Sequence, residues 1–355
     1  MKAFAMKEQG AALEKIEVDR PQPSGREVLL KVTHAGVCHT DTHVQEGGYD
    51  LGSRGTLDMS TRGVTYPCVM GHETVGEVVE VGSEVENVSV GDTCLAFPWI
   101  GCGQCGKCAH GQENACDNGR ALGIIQFGGF ADYLLVPDER YAIDVAGVDP
   151  AWAATLACSG VTSYSSARKA TATVNPDEPI GVMGVGGVGM MTVAALVALG
   201  HKNIIAIDVS DENLASAQEL GATVTVNSKN ATSQDLVEAA GGQFIAIIDL
   251  VNTGDTVALA FDALSRAGKI VQVGLFGGEF VDPTAIMALK GLTLQGNYVG
   301  TVEEVREVVE LARQGSLPKL PITGGTLNVV GVNDGLERLR TGRARGRTVL
   351  TPSAT

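Results

Sequence analysis

The chain has 355 residues, 44% of them apolar, and a formal net charge of −15. That length exceeds one ordinary domain, points to two, and supplies ample material for a buried core. The acidic balance argues against nucleic acid, whose phosphates need clustered Lys and Arg, and no apolar run is long enough to cross a bilayer.

The first third reads as β-rich. Glu27–Thr33 (EVLLKVT), Thr74–Val81 (TVGEVVEV) and Ala131–Val136 (ADYLLV) are runs rich in Val and Leu, bounded by turn residues. From Ile180 the pattern changes. Strands are expected at Ile180–Gly184, Asn203–Asp208, Thr223–Asn227, Phe244–Val251, Lys269–Gly274 and Thr293–Asn297. They alternate with helices at Val188–Leu199, Glu212–Leu220, near Gln234–Ala240 and at Thr256–Ala267. Such alternation implies an α/β domain with a parallel sheet and right-handed crossovers. A further helix is expected at Val302–Gln314, and it and the C-terminal remainder need not join that sheet. No internal repeat is visible.

Gly184-Val185-Gly186-Gly187-Val188-Gly189 is a GxGxxG run. A strand precedes it, a helix follows, and Asp208 ends the next strand nineteen residues on. Each glycine has a task. Gly184 permits the tight turn, Gly186 lets the backbone approach a pyrophosphate, and Gly189 allows close helix–strand packing. Asp208 can accept hydrogen bonds from ribose hydroxyls and would repel a 2′-phosphate, which favours NAD over NADP. Its blander alternative is a cap on the following turn.

Eight cysteines are present, and four lie within fifteen residues: Cys102, Cys105, Cys108 and Cys116, spaced C-x2-C-x2-C-x7-C. Met1–Arg20 lacks the charged start, apolar run and cleavage site of a secretory leader, so a cytoplasmic location is expected. Clustered thiols in such a protein point to metal rather than disulfides. Four sulfur ligands leave no open position, so a zinc held there is structural. An iron–sulfur cluster is the rival, but the common ferredoxin run closes with a three-residue gap and proline. This one closes with seven residues and Asp117.

Three further candidate ligands are scattered: Cys38 in VCHTD, His72 in GHE and Cys158 in ACS. Each taken alone reads as a buried thiol or a loop histidine. The ordered set of CHTD, GHE, the four-cysteine run, a later cysteine and GVGGVG resembles the zinc-containing medium-chain alcohol dehydrogenases along nearly the whole chain. That resemblance implies a second, catalytic zinc on Cys38, His72 and Cys158, with an open position for alcohol or water. It implies that Glu73 sits beside the metal and that Asp41 orients the histidine ligand. It also implies that zinc, as a Lewis acid, acidifies the alcohol so that hydride passes to NAD. Thr40 then relays the proton to His43. By the same resemblance, His39 and Arg347 lie near the cofactor phosphates, with Gly187 and Val188 at the glycine loop and Val188 behind the nicotinamide. Tyr49 and Trp99 fall near positions that line the alcohol pocket.

The resemblance further implies two domains. A GroES-like β-barrel catalytic domain is expected over residues 1–159 and 298–355, and a doubly wound Rossmann domain over 160–297. The short gap from Cys116 to Cys158 is that of the compact, tetrameric microbial members, so a homotetramer acting on a small alcohol, aldehyde or ketone is expected. The stretch from His43 to His72 is longer than in those members, and its polar, Gly-containing part, Leu51–Val64, is expected near the cleft mouth as a lid, an oligomer contact or decoration. Cys68 and Cys94 read as small buried hydrophobes. Two relatives stand as rivals. A polyol dehydrogenase commonly replaces the third zinc ligand with a carboxylate, and an NADP-linked cinnamyl-type enzyme lacks an equivalent of Asp208. A scaffold without activity would have lost the ligands this chain keeps.

Overall fold

The computed structural model describes residues 1–353, so the last two residues of the range expected for the catalytic domain lie outside it. Two sheet systems organise the chain. The first is a six-stranded parallel sheet in the spatial order Val224–Asn227, Ile204–Asp208, Ile180–Met183, Phe244–Asp249, Leu264–Gln272 and Thr293–Gly296. Its three central strands, Ile204–Asp208, Ile180–Met183 and Phe244–Asp249, are nearly uninterrupted apolar runs because helices cover both faces, as a parallel sheet requires. One apolar cluster lies on each side. The strand order reverses between Ile180–Met183 and Phe244–Asp249, and that reversal opens a crevice at the carboxyl ends of the two strands.

The second system is a seven-stranded sheet whose hub is the long strand Val28–Val37. Glu73–Val81, Tyr133–Val136 and Arg347–Thr351 all pair with it. Ile322–Thr326 adds in parallel to Arg347–Thr351, so the C-terminal segment completes this sheet rather than the parallel one. Lys2–Met6, Glu14–Glu17 and Cys68–Val69 form a three-stranded sheet beside it. Phe97, Phe130, Tyr141 and Trp152 fill the interior.

The expected elements are present, with shifted ends. The largest difference follows Thr256: the helix runs Gly254–Ala263 and stops four residues short of Ala267. Leu264 turns extended at ψ 141° and joins the next strand at once. Ala267 takes φ 59°, which no helix interior adopts. None of the described helices is long and apolar enough to cross a membrane.

Candidate functional site

Strand register brings the scattered ligands together. Gly36 pairs with Glu73 across the hub strand and its neighbour. Cys38 therefore leaves one strand beside the point where His72 enters the next. A Cβ on Gly36 would stand 2.3 Å from Glu73 Oε2, so only glycine lets that carboxyl fold over the sheet. Cys158 arrives from a different direction, in a single π-helical turn, Leu156–Gly160, between the helices Pro150–Thr155 and Val161–Thr171. Such turns are rare and cluster at functional sites. The donor atoms of Cys38, His72 and Cys158 lie within 4.8 Å of one another, and all three residues are buried.

Asp41 serves both halves of this arrangement. Its Oδ2 accepts from the Cys38 amide at 2.9 Å, capping the helix His39–Glu46. Its Oδ1 faces His72 Nδ1 at 3.0 Å. That contact commits one ring nitrogen and leaves His72 Nε2 buried without a partner. A buried orphan nitrogen beside two thiols is what a tetrahedral metal site with an open position requires. Hydrogen bonding from Cys158, helped by His72, holds the Cys38 thiol well below its ordinary value, toward the thiolate a metal binds. Burial opposes protonation of His72, yet Asp41 and Cys38 outweigh it and raise the imidazole.

Glu73 sits at the rim of the triad. The Ser159 amide donates to its Oε1 at 3.1 Å, and Arg347 Nη2 donates to its Oε2. Burial pushes the carboxyl up, while Arg347 opposes the rise. Arg347 is thus a buried residue, 3% exposed, and not the free surface arginine its sequence context allows. A Cβ on Gly187 would stand 3.3 Å from Arg347 Nη1, so the guanidinium also borders the glycine loop.

That loop sits at the sheet reversal. Gly184 has φ 84°, and a Cβ on Gly189 would strike the Gly184 carbonyl oxygen at 2.0 Å. A Cβ on Gly186 would meet only open space, which leaves its backbone accessible to a phosphate. Asp208 ends the second strand of this sheet, with Oδ2 accepting from the Val185 amide at 2.7 Å and Oδ1 from the Ser210 amide at 2.9 Å. Val188, half-buried, starts the following helix Gly187–Ala198, and its carbonyl accepts from Ser163 and Thr192.

Thr40 and His43 lie three residues apart on the helix after Cys38, hence on one face. Burial, then His39, lowers the His43 pKa from its ordinary 6.5. Four rings gather here: His43 lies 4.8 Å from Tyr49, and Phe276 packs against both His39 at 5.4 Å and His43 at 6.5 Å. Trp99 is 5% exposed, 6.0 Å from His72. Tyr298 completes the wall, edge-on to Trp99 at 5.5 Å. Sequence reasoning missed Tyr298 and Phe276, because each lies in a glycine-bearing stretch that carries no motif.

The Cys102–Cys116 lobe is a closed excursion between the paired strands Trp99–Ile100 and Arg120–Ala121. Its Sγ atoms are 3.5 Å apart for Cys105–Cys108, 3.8 Å for Cys105–Cys116 and 4.0 Å for Cys102–Cys108. A tetrahedron with metal–sulfur bonds of about 2.3 Å has edges of about 3.8 Å, so these four thiols fit one zinc. The amides of Gln104 and Cys105 pull the Cys102 thiol down to about 6. Cys68 and Cys94, by contrast, are buried thiols pushed up to about 12 by desolvation.

Leu51–Val64 is not an irregular loop. Gly48–Asp50 pairs with Thr56–Asp58 as a small hairpin, followed by a short turn of helix at Met59–Arg62. At its tip Ser53 Oγ donates to Glu279 Oε1 at 2.5 Å, on the loop beyond the fifth strand of the parallel sheet. Between hairpin and loop lies a cavity of about 340 Å³, bordered by Tyr49, Arg54, Asn252, Leu275 and Phe280.

Residues 24–146 match the alcohol dehydrogenase GroES-like domain, and residues 187–314 match the zinc-binding dehydrogenase domain. The chain is 35% identical to an NAD-dependent alcohol dehydrogenase of Sulfurisphaera tokodaii, over 99% of this chain and 100% of the relative. The alcohol dehydrogenase of the hyperthermophilic archaeon Aeropyrum pernix shares its structure, with a TM-score of 0.89 at 31% identity over 99% of this chain and 100% of that one. The D-arabinose dehydrogenase of Sulfolobus solfataricus follows with a TM-score of 0.83 at 30% identity over the same shares. Identity at this level, sustained along the whole length and on the same architecture, makes the chain a member of the zinc-containing medium-chain alcohol dehydrogenase family.

Proposed function

We propose that this protein interconverts a small alcohol and its aldehyde or ketone with NAD as the hydride acceptor. The observation that carries this reading is the convergence of Cys38, His72 and Cys158 with His72 Nε2 unpartnered, at the edge of a crevice that bears the glycine loop. The chain binds two zinc ions in this reading: one on Cys38, His72 and Cys158, the other on Cys102, Cys105, Cys108 and Cys116. The first zinc supplies the Lewis acidity that makes an alcohol hydroxyl acidic, and NAD supplies the acceptor for hydride.

The chain's own residues do the rest. Asp41 fixes the His72 ring so that Nε2 serves the metal. Thr40 hydrogen-bonds the alcohol hydroxyl and hands its proton toward His43. With its pKa lowered by burial, His43 is neutral near pH 7 and free to accept that proton and release it to solvent. Gly184, Gly186, Gly187 and Gly189 hold the pyrophosphate, with His39 and Arg347 as nearby nitrogen donors. Asp208 holds the adenosine ribose, and Val188 backs the nicotinamide. Tyr49, Trp99 and Tyr298 leave an aromatic slot around the ligand triad. Such walls suit slim or flat carbinols: primary, allylic or benzylic alcohols.

A sugar substrate is the second reading, favoured by the likeness to D-arabinose dehydrogenase. The aromatic slot argues against it, since a polyol needs several polar partners. The homotetramer and cytoplasmic setting come with the compact microbial members the chain resembles. The test is spectrophotometric: appearance of reduced nicotinamide from NAD and NADP in parallel, across primary, secondary, allylic and benzylic alcohols and pentoses. Turnover of alcohols with NAD supports the proposal. Turnover of pentoses alone replaces it with the sugar reading, and no turnover in zinc-loaded, NAD-binding protein refutes it.

A further inference from the structure

The chain that leaves the last strand of the parallel sheet, residues 297–300, is held in a manner the reaction above does not require. Val299 has φ 47°, a left-handed backbone that β-branched residues almost never adopt. Buried Asn297 grips this turn from one side. Its Nδ2 donates to the carbonyls of Thr162 at 3.3 Å and Val299 at 3.1 Å, while its Oδ1 accepts from Lys169 Nζ at 2.6 Å. From the other side, Asn114 of the cysteine lobe donates Nδ2 to the Tyr298 carbonyl at 2.8 Å. Asn114 Oδ1 is buried without a partner, so the bond to Tyr298 orients the amide. A strained turn persists only where its surroundings over-determine it, and such turns collect at functional sites.

What the turn presents is the Tyr298 ring. It is 52% exposed, packs edge-on against Trp99, and has the Arg62 guanidinium of the inserted segment acting on its hydroxyl. The cysteine lobe thus reaches this wall twice. It begins two residues beyond the Trp99–Ile100 strand, and it holds Tyr298 through Asn114.

We propose that the cysteine lobe sets alcohol specificity by holding Tyr298 against Trp99, with Asn114 as the positioning residue. This rests on the alcohol reading above and deepens it. Tyr298 forms one wall of the slot together with Trp99, so a substrate branched next to its carbinol carbon meets the ring. The tether fixes the backbone from which the ring projects, and packing on Trp99 then leaves the ring one place to sit, so loosening the Asn114 bond lets the whole residue shift away from Trp99. The four-cysteine metal site then has a consequence at the substrate, beyond holding its own loop together.

The test uses zinc-loaded protein and three variants, Tyr298→Ala, Asn114→Asp and Asn114→Ala. Asn114→Asp keeps the shape of the side chain and removes its donor. The first readout is the ratio of kcat/KM for a branched secondary alcohol to that for an unbranched primary one. A pocket difference of about one methylene moves such a ratio roughly 10- to 200-fold. Tyr298→Ala is expected to raise it about tenfold or more. Asn114→Asp is expected to raise it in the same direction by about threefold to tenfold, with zinc content as in the parent. The second readout does not depend on turnover. The chain has two tryptophans, so in a Trp152→Phe background emission reports Trp99 alone. Asn114→Asp and Tyr298→Ala should shift that emission in the same sense. A substrate ratio unmoved by Tyr298→Ala overturns the specificity role. Parent-like emission and ratio in both Asn114 variants overturn the tether. If the parent turns over no alcohol at all, the alcohol reading fails, and the emission of Asn114→Asp still decides whether the lobe positions Tyr298.

Discussion

Arg347 and Glu73, 274 positions apart in the chain, form a buried ion pair with side-chain exposures of 3% and 0%. The pair joins the rim of the Cys38–His72–Cys158 triad to the glycine loop, since Arg347 also borders Gly187. Removing one partner strands an uncompensated buried charge, which costs about 3–5 kcal/mol, whereas removing both is far milder. Arg347→Leu is therefore expected to lower the denaturation midpoint sharply at fixed zinc concentration, and the double variant Glu73→Gln/Arg347→Leu to recover a large part. Equal losses in single and double variants would show that the two charges do not depend on each other. NAD affinity, read by calorimetry, should fall with Arg347→Leu.

Asp208 is anchored at its strand end by the amides of Val185 and Ser210, so its carboxylate is fixed where the proposed reading puts the adenosine ribose. A 2′-phosphate placed there meets a fixed negative charge. Asp208→Ser is expected to raise the NADP-to-NAD ratio of kcat/KM roughly tenfold or more, the equivalent of ~1.4 kcal/mol. An unchanged ratio would put cofactor choice elsewhere in the loop.

His43 gives the pH dependence of alcohol oxidation a definite sign. Burial and His39 lower its pKa below 6.5, so the proton-accepting form prevails at pH 7 and is lost only at more acid pH. The acid limb of kcat/KM should fall below pH 6.5, and His43→Gln should remove it while lowering the plateau roughly 100-fold or more. The same depression means that the neutral ring favours the folded state above pH 6.5. That contribution is lost as pH falls through the lowered value. A limb that persists unchanged in His43→Gln belongs to another group.

The sulfur spacings of the lobe predict one zinc independent of the catalytic one. Metal analysis of the parent should find two per chain. Cys105→Ser should leave one, retain NAD binding and shorten the half-life at elevated temperature, because closed zinc sites contribute folding energy directly. Full retention of both ions would contradict the four-thiol site.

The inserted hairpin touches the cofactor side of the molecule through Ser53 and Glu279. A Cβ on Gly52 would stand 2.2 Å from Glu279 Cγ, so glycine at the hairpin tip is what admits that side chain. One exposed hydrogen bond is worth about 1 kcal/mol, or roughly fivefold in an opening equilibrium. Where release of reduced cofactor limits turnover, Ser53→Ala should raise kcat and the KM for NAD together, by about twofold to fivefold. Constant values of both would make the hairpin a wall and not a gate.

Local chemistry was readable directly from the chain. The four-cysteine lobe declares itself because its ligands lie within one short loop, where spacing alone makes convergence possible. The glycine run declares itself because a strand before it, a helix after it and Asp208 at the next strand end all follow from nearby hydrophobic periodicity. Cys38, His72 and Cys158 have no such local signature, and resemblance had to group them. The pairing of Gly36 with Glu73 and the π-helical turn at Cys158 are what bring the three together, and both depend on long-range register. Tertiary structure alone decided that Arg347 neutralises Glu73, that Asn114 holds Tyr298, and that the inserted segment is a hairpin bound to Glu279. Each of these joins residues more than 180 positions apart. Periodicity and motif spacing encode what a chain does over a few turns of backbone, whereas a contact across the fold is set by how whole elements pack.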